Sequence, residues 1–424
     1  MKNLSILFSF LFLFFLTGVN AQLPQTLTAA KNPEEAGFSS EGLKKLDAHF
    51  QEVIDKGIAP NIVTFIAKKG KIVHFKAFGY SNLETKTALK KDDIFRIASQ
   101  SKAITTVGLL MLFEEGKFFL DEPISKYIPA FKNPKVLVSY DEKDPQKYIT
   151  RPAKSEITIR QLLSHSAGIP YEHALQNLPE FKVPFYCSTE KELLKDVVDK
   201  IAARPLVADP GTKFVYGLNT DVLGRLIEIL SGMPFDEYLR KKVLTPLGMN
   251  DTYFYLPNSK APRLVELYSK ENRNDDLTVH DNDTYRKFAV SGAKTYLSGG
   301  AGLLSTIEDY AKFCQFLLNK GEFNGKRLLS RSTVDMMGRN QIGESFVWDR
   351  QDKFGLGLQI ITPESRYGDN ATPSSLTWGG MYCSEYTIDQ KEKTIMLVFT
   401  NVHPYAYYSD IVRKFRILAY QAML

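Results

Sequence analysis

"FRIASQSKAITTVGLLMLFEEGK", residues 95–117, decides how the chain is read. From Ala103 to Phe113 the run is apolar on nearly every side and ends near Gly116, the pattern of a helix buried all round. Lys102 falls in the first turn, where the partial positive charge of a helix N-terminus opposes a cation. Ser99 stands three residues earlier, so the two side chains project from one face and can meet. Two readings of the pair stay open at this point. Ser99 is either an N-cap beside a lysine that snorkels to water, or a nucleophile. In the second reading the lysine, disfavoured as an ammonium by burial and by the helix end, accepts the serine proton.

Spacing alone does not decide, because Ser-x-x-Lys also occurs at Ser188/Lys191 and Ser291/Lys294. Ser188 opens a polar-faced helix in which Thr189 and Glu192 are spaced as a capping box. Ser291 lies in "SGAKTYLSGG", with no helical run behind it.

Working outward, "NIVTFIAKKGKIVHFKAFGY" (61–80) reads as a hairpin around Lys69-Gly70, and "SEYTIDQKEKTIMLVFTN" (384–401) as a second one turning at 389–393. Leu43, Leu46, Phe50 and Ile54 mark an amphipathic helix before the first hairpin, and "SDIVRKFRILAYQAML" closes the chain as another. The middle of the chain is mostly helical in period, with capping residues. The expected class is α+β: one antiparallel sheet flanked by the N- and C-terminal helices, plus a mainly helical lobe. Residues 35–424 then form a single domain, its body built from about 35–95 and 290–424 and its lobe from about 96–289. The cleft between body and lobe is the default place for chemistry.

Residues 1–21 combine Lys2, an apolar run from Leu4 to Leu16 and Val19-Asn20-Ala21, which is the pattern of a secretory signal. The run is too short for a membrane span, so the expectation is export, cleavage near Ala21, a linker over 22–34 and no transmembrane segment in the mature chain. The chain carries 54 basic and 48 acidic residues, a formal charge of +6, with no basic run, so nothing supports a nucleic-acid partner. Cys187, Cys314 and Cys383 lack metal-like spacing and the six histidines contain no HExxH pair. No metal or other cofactor is expected. At most one disulfide is possible, and three small buried residues is the simpler reading of the cysteines.

From about residue 35 to its end the chain resembles the serine β-lactamase and penicillin-binding-protein-like hydrolases, nearest the branch of class C β-lactamases and family VIII carboxylesterases. The resemblance runs in order through "FRIASQSKAIT", "TIRQLLSHSAGIPY", "PGTKFVYGLNTDVLGRLIEILSG", "MPFDEYLRKKVLTPLGM", "GGAGLLSTIEDYAKFCQFLLNKG" and "WGGMYCSEYTID". It implies a β-lactamase/transpeptidase-like fold and acyl transfer through a serine ester. It also implies Ser99 as nucleophile, Lys102 as its partner and Tyr216 as the second proton-handling group. A phenol ordinarily ionises near pH 10, so Tyr216 needs a cationic neighbour to act as a base, and Lys102 is the candidate. The backbone N–H groups of Ser99 and Met381 are implied as the oxyanion hole.

The chain departs from the family pattern at two places. Where the class C branch has an asparagine two residues after the tyrosine, this chain has Leu218. The next residue, Asn219, reads as the N-cap of "TDVLGRLIEIL". Where the family carries Lys-Thr-Gly or His-Thr-Gly, this chain has Trp378-Gly379-Gly380, an indole wall in place of a cation. Both changes point from β-lactams towards neutral acyl esters. His165 in "LLSHSAGI" suggests a Ser-His-Asp triad, but no Gly-x-Ser-x-Gly elbow occurs; a turn histidine satisfying backbone groups beneath the cleft is the better reading. "SGGAGLLST" (298–306) is expected to shape the cleft rim.

The expected function is an exported serine hydrolase acting through a covalent acyl-enzyme on carboxylic esters with small or medium acyl groups. The alternatives are β-lactam or D-alanyl peptide hydrolysis and, outside enzymes, a catalytically weak peptidoglycan-binding module. Retention of Ser99, Lys102 and Tyr216 together argues against the last. The partner in each case is a small ester, amide or cell-wall-derived molecule.

Overall fold

In the computed structural model, which describes residues 26–424, the two hairpins read from the sequence lie side by side in one sheet. β1 (Asn61–Lys68) and β2 (Lys71–Asn82) are joined through Lys69 and Gly70. Both turn residues have positive φ, 50° and 75°, the backbone a two-residue turn needs to match strand twist. β3 (Leu376–Gly380), β4 (Ser384–Asp389) and β5 (Thr394–Phe399) form an antiparallel meander. β5 then pairs antiparallel with β1, from Thr394 opposite Lys68 to Phe399 opposite Val63. Sequence-distant ends of the chain thus share the centre of one sheet.

The expected leader, residues 1–21, and positions 22–25 lie outside the described residues. The rest of the expected linker is not merely a linker. Thr28–Ala29 adds a short parallel edge strand on Lys71 and Ile72.

The principal helices are α1 (Ser40–Asp55), α2 (Ser101–Glu114), α3 (Asn219–Ser231), α4 (Ile307–Leu318) and α5 (Tyr408–Gln421). Every residue of β1 is buried, so its side chains divide strictly by period two. Ile62 and Ile66 pack with Leu46 and Phe50 of α1 and Phe415 of α5. Val63, Phe65 and Ala67 join the larger core that holds Phe313 and Phe316 of α4. α1 is capped as its sequence suggests, the Ser39 hydroxyl accepting from the Gly42 N–H at 3.1 Å.

α2 is the buried helix anticipated from its composition: every residue from Ser101 to Leu110 is buried. Gly108 allows close packing there, since a Cβ would stand 2.7 Å from a terminal methyl of Leu239, which would have to shift. One local expectation fails. The helix after Ser188 starts at Leu194, with Leu193 in the cap position and no side-chain cap. Its start follows the buried stripe of Leu194, Val197, Val198 and Ile201, and Glu192 instead pairs with Lys200. The lobe also carries an antiparallel hairpin, Lys135–Tyr140 with Tyr148–Pro152, among its helices. All three cysteines are buried and free. Among the described residues no helix is long and apolar enough to cross a membrane.

His74 on β2 is 5% exposed, with one ring nitrogen 2.7 Å from Thr64 Oγ1 and the other 3.7 Å from Asp47. Burial lowers its pKa from 6.5 to about 4, against the pull of Asp47. A histidine lowered on folding contributes stability that is present above its unfolded pKa and lost as pH falls towards its folded one. The window here is pH 6.5 to 4, and the loss should reach about 3 kcal/mol. Urea unfolding of wild type and His74→Gln across that window should show the wild-type advantage shrinking by that order; a pH-independent difference would refute the assignment.

Candidate active site

The chain enters α2 through a strained turn. Ala98 has φ +40°, a region that costs a non-glycine residue about 1–2 kcal/mol. The strain sets Ser99 in a short 3-10 turn ahead of the helix. The cap position belongs to Gln100, and no side chain caps α2. The N-cap reading of Ser99 therefore fails: the residue sits one position too early.

Lys102 does not snorkel. It is 1% exposed, and its Nζ lies 3.2 Å from Ser99 Oγ, 2.7 Å from the Tyr171 hydroxyl and 2.8 Å from the Gly300 carbonyl oxygen. The Tyr216 ring centroid lies 4.7 Å from it, so an aromatic ring borders the nitrogen, while Tyr171 meets it with its hydroxyl. Gly300 has no room for a side chain: a Cβ there would stand 2.8 Å from Asp221 Oδ2 and 3.5 Å from Lys102 Nζ. Asp221, fully buried on α3, accepts from the hydroxyls of Tyr296 at 2.9 Å and Ser298 at 2.6 Å. Burial raises its carboxyl pKa, while those hydroxyls and the Lys102 charge oppose the rise. Burial, aided by Tyr216 and Asp221, also holds the Tyr171 phenol well above 10, so it stays protonated.

Tyr216 meets Lys102 through its ring, and its hydroxyl accepts from Trp378 Nε1 at 3.2 Å. His165, with φ +54°, takes the turn position expected of it. Its Nδ1 faces the Asn219 amide nitrogen at 2.9 Å and the Gly217 N–H at 3.4 Å. Burial and then the Lys102 charge hold its imidazole well below 6.5, hence neutral. Asn219 is not a cap: Leu218 holds that position and Asn219 is the first residue of α3. Its amide also reaches the Ile169 carbonyl at 3.2 Å, pinning the loop that carries Tyr171.

β3 brings Trp378, Gly379 and Gly380 against this turn. A Cβ on Gly380 would fall 2.4 Å from the Ile97 carbonyl oxygen, and one on Gly379 2.3 Å from the Tyr408 hydroxyl. Met381 follows directly, and together with Ser99 and Tyr216 it lines two cavities. The smaller, about 190 Å³, is walled by Trp348, Trp378 and Tyr367 and contains Arg350, whose guanidinium lies over the Tyr367 and Trp348 rings. The larger, about 410 Å³, is largely apolar, with Val183, Phe185 and Leu218 on its walls.

The seven residues given catalytic or substrate-binding roles from the sequence lie together at one cleft: Ser99, Lys102, Tyr216, Trp378, Gly379, Gly380 and Met381. The sequence reading missed Tyr171, Asp221 and Arg350. Tyr171 had a signal, since it ends the motif "LLSHSAGIPY", and Asp221 is the lone charged residue of "LNTDVLG", just ahead of the apolar positions Val222 and Leu223. Among the described residues no group of His, Cys, Asp and Glu could hold a metal ion.

The comparisons agree with this architecture. Lovastatin esterase of Penicillium rubens is 29% identical over 373 residues, covering 82% of this chain and 90% of that one. The solved structure of EstCE1, described as a hydrolase with promiscuous acyltransferase activity, superposes with a TM-score of 0.75 at 24% identity over 89% of this chain and 98% of that one. Simvastatin synthase LovD of Aspergillus terreus gives 0.76 at 23% identity, covering 90% and 98%. At such identities the two structures speak for the fold, which is the β-lactamase/transpeptidase-like one. The family profile described as Beta-lactamase matches residues 46–419, from α1 to α5, and a match spanning both ends of the shared sheet and the lobe between them means that the chain belongs to the beta-lactamase family.

Proposed function

We propose that the chain is an exported serine hydrolase that cleaves carboxylic esters with small or medium acyl groups through an acyl-enzyme on Ser99. The observation that carries this is the buried Lys102 nitrogen, held between Ser99 Oγ, the Tyr171 hydroxyl and the Gly300 carbonyl. An amine has two N–H bonds and one lone pair. Gly300 O can only accept and so takes one N–H; in the free-amine form that the reaction requires, the second N–H serves Tyr171 and the lone pair meets the Ser99 proton.

In the reaction so arranged, Ser99 Oγ bonds to the acyl carbon while its proton passes to Lys102 Nζ. The carbonyl oxygen becomes an oxyanion facing the N–H groups of Ser99 and Met381. The bond to the alcohol oxygen then breaks, and that oxygen leaves as an alcohol with a proton delivered through Tyr216 or Lys102. Water repeats the sequence on the serine ester, releasing the acid and restoring the hydroxyl. The 410 Å³ cavity beside Ser99 suits an alkyl or similar acyl group.

The test is to incubate the mature protein with an activated short-chain ester, a β-lactam and a D-alanyl-D-alanine peptide, following turnover and intact mass. Ester turnover lost in Ser99→Ala, with an acyl adduct on the wild-type serine, is the expected result. Ester turnover absent from wild type, or equal in both proteins, defeats the proposal, and a lasting penicilloyl adduct without turnover would assign the chain to binding rather than hydrolysis.

A further inference from the structure

The wall of the larger cavity contains a cation without a counter-ion. Arg204 follows the helix Leu194–Ala203 and is 8% exposed, yet it lines the same cavity as Ser99, Tyr171, Tyr216 and Met381. Its Nε donates to the Phe181 carbonyl at 2.6 Å, while its Nη1 is buried with no hydrogen-bond partner. No carboxylate among the described residues forms an ion pair with it. Glu172, on the same wall, is exposed and does not reach it, and His173 is kept neutral by its burial. The one titratable group that favours its charge is the Tyr296 phenol, itself protonated because burial holds it well above 10. Burial lowers the guanidinium to about 10, which leaves it charged at neutral pH.

A buried, uncompensated charge is costly to the fold, and a planar guanidinium is the side chain best suited to a carboxylate. Resting on the ester-hydrolase reading above, we infer that Arg204 forms an anion-binding subsite in the acyl cavity, and that the preferred acyl group carries a carboxylate at its far end, as in a half-ester of a short dicarboxylic acid. This departs from the neutral acyl group expected from Trp378. The two residues lie in different places: Trp378 lines the smaller cavity, whereas Arg204 lines the larger one.

Two measurements test the inference. The first is the ratio of kcat/KM for phenyl hemiadipate to that for phenyl 5-carbamoylpentanoate, its uncharged isostere, in which any general loss of activity cancels. The ratio should be about 10 to 100 in wild type and fall to near 1 in Arg204→Met. Arg204→Gln, which keeps a donor for the Phe181 carbonyl, should lose it equally. The second needs no turnover. Saturating adipate should raise the wild-type melting midpoint by about 3 °C or more, adipamide should not, and the adipate shift should vanish in both variants. Equal shifts from adipate and adipamide, or an adipate shift that survives both substitutions, would overturn the subsite. An adipate shift without turnover of either ester would leave the subsite standing and defeat the hydrolase reading. Turnover of both esters at equal efficiency without an adipate shift would do the reverse.

Discussion

Lys102→Met should lower kcat on an activated ester by about three to four orders of magnitude, the range of a lost general base. The substitution suits the test because methionine fills similar space on a helix whose residues are buried from Ser101 to Leu110, so the fold should survive. What disappears is the acceptor 3.2 Å from Ser99 Oγ and the donor to Tyr171 and to Gly300 O. Leaving the Gly300 carbonyl and the Tyr171 hydroxyl without their buried donor should cost about 1–3 kcal/mol of stability, so kcat is compared where circular dichroism shows both proteins folded, which separates lost chemistry from lost structure. Tyr171→Phe should be milder, about tenfold, because it removes one hydrogen bond to the lysine and leaves the base in place. A Lys102→Met protein that retains more than a tenth of wild-type kcat would show that the proton goes elsewhere, with Tyr216 the next candidate. The same variant should form no acyl adduct on the timescale in which wild type turns over.

Much of this site was legible before the fold was known, for a definite reason. A lysine set against a helix end and followed by a wholly apolar run is a local conflict, and local conflicts mark function. The hairpins and the flanking helices were legible because their burial repeats at two or at 3.6 residues. Lys69-Gly70 also names its own turn, since both residues adopt the positive φ it requires. What the sequence hides is convergence. Tyr171, Asp221 and Gly300 come from three distant stretches, and only the packed lobe sets them around one nitrogen. Backbone pairing is hidden for another reason. Thr28–Ala29 joins the sheet by hydrogen bonds between main-chain groups, Thr28 N–H to Gly70 O and Ala30 N–H to Ile72 O, each 3.0 Å, and nothing in those exposed side chains announces it. Thr189 and Glu192 show the opposite error. Their spacing fits a capping box, but the helix starts where its buried stripe starts, and a side-chain cap is too weak to move it.

Gly380→Ala should cost two to three orders of magnitude in kcat, about the value of one oxyanion donor, although it adds a single methyl group. The atom that Cβ would strike, at 2.4 Å, is the carbonyl oxygen of Ile97, and that oxygen also accepts from the Gln100 N–H at 3.1 Å. It belongs to the turn that presents Ser99, so the strand cannot move from it without separating the Met381 N–H from the Ser99 N–H. Backbone on both sides of the contact leaves no flexible side chain to give way. Gly379→Ala provides the control. Its closest contact, 2.3 Å, is the hydroxyl at the end of the Tyr408 side chain, which can swing, although Ser384 O at 2.9 Å limits the adjustment. Its loss should stay within about tenfold. The comparison is best made on kcat, since a misplaced oxyanion donor weakens transition-state binding while leaving the walls of the larger cavity intact. Should Gly379→Ala prove the more damaging, or should both variants lose only KM, the oxyanion hole does not lie at the end of β3. The acyl carbonyl would then have to be held by some group other than Met381.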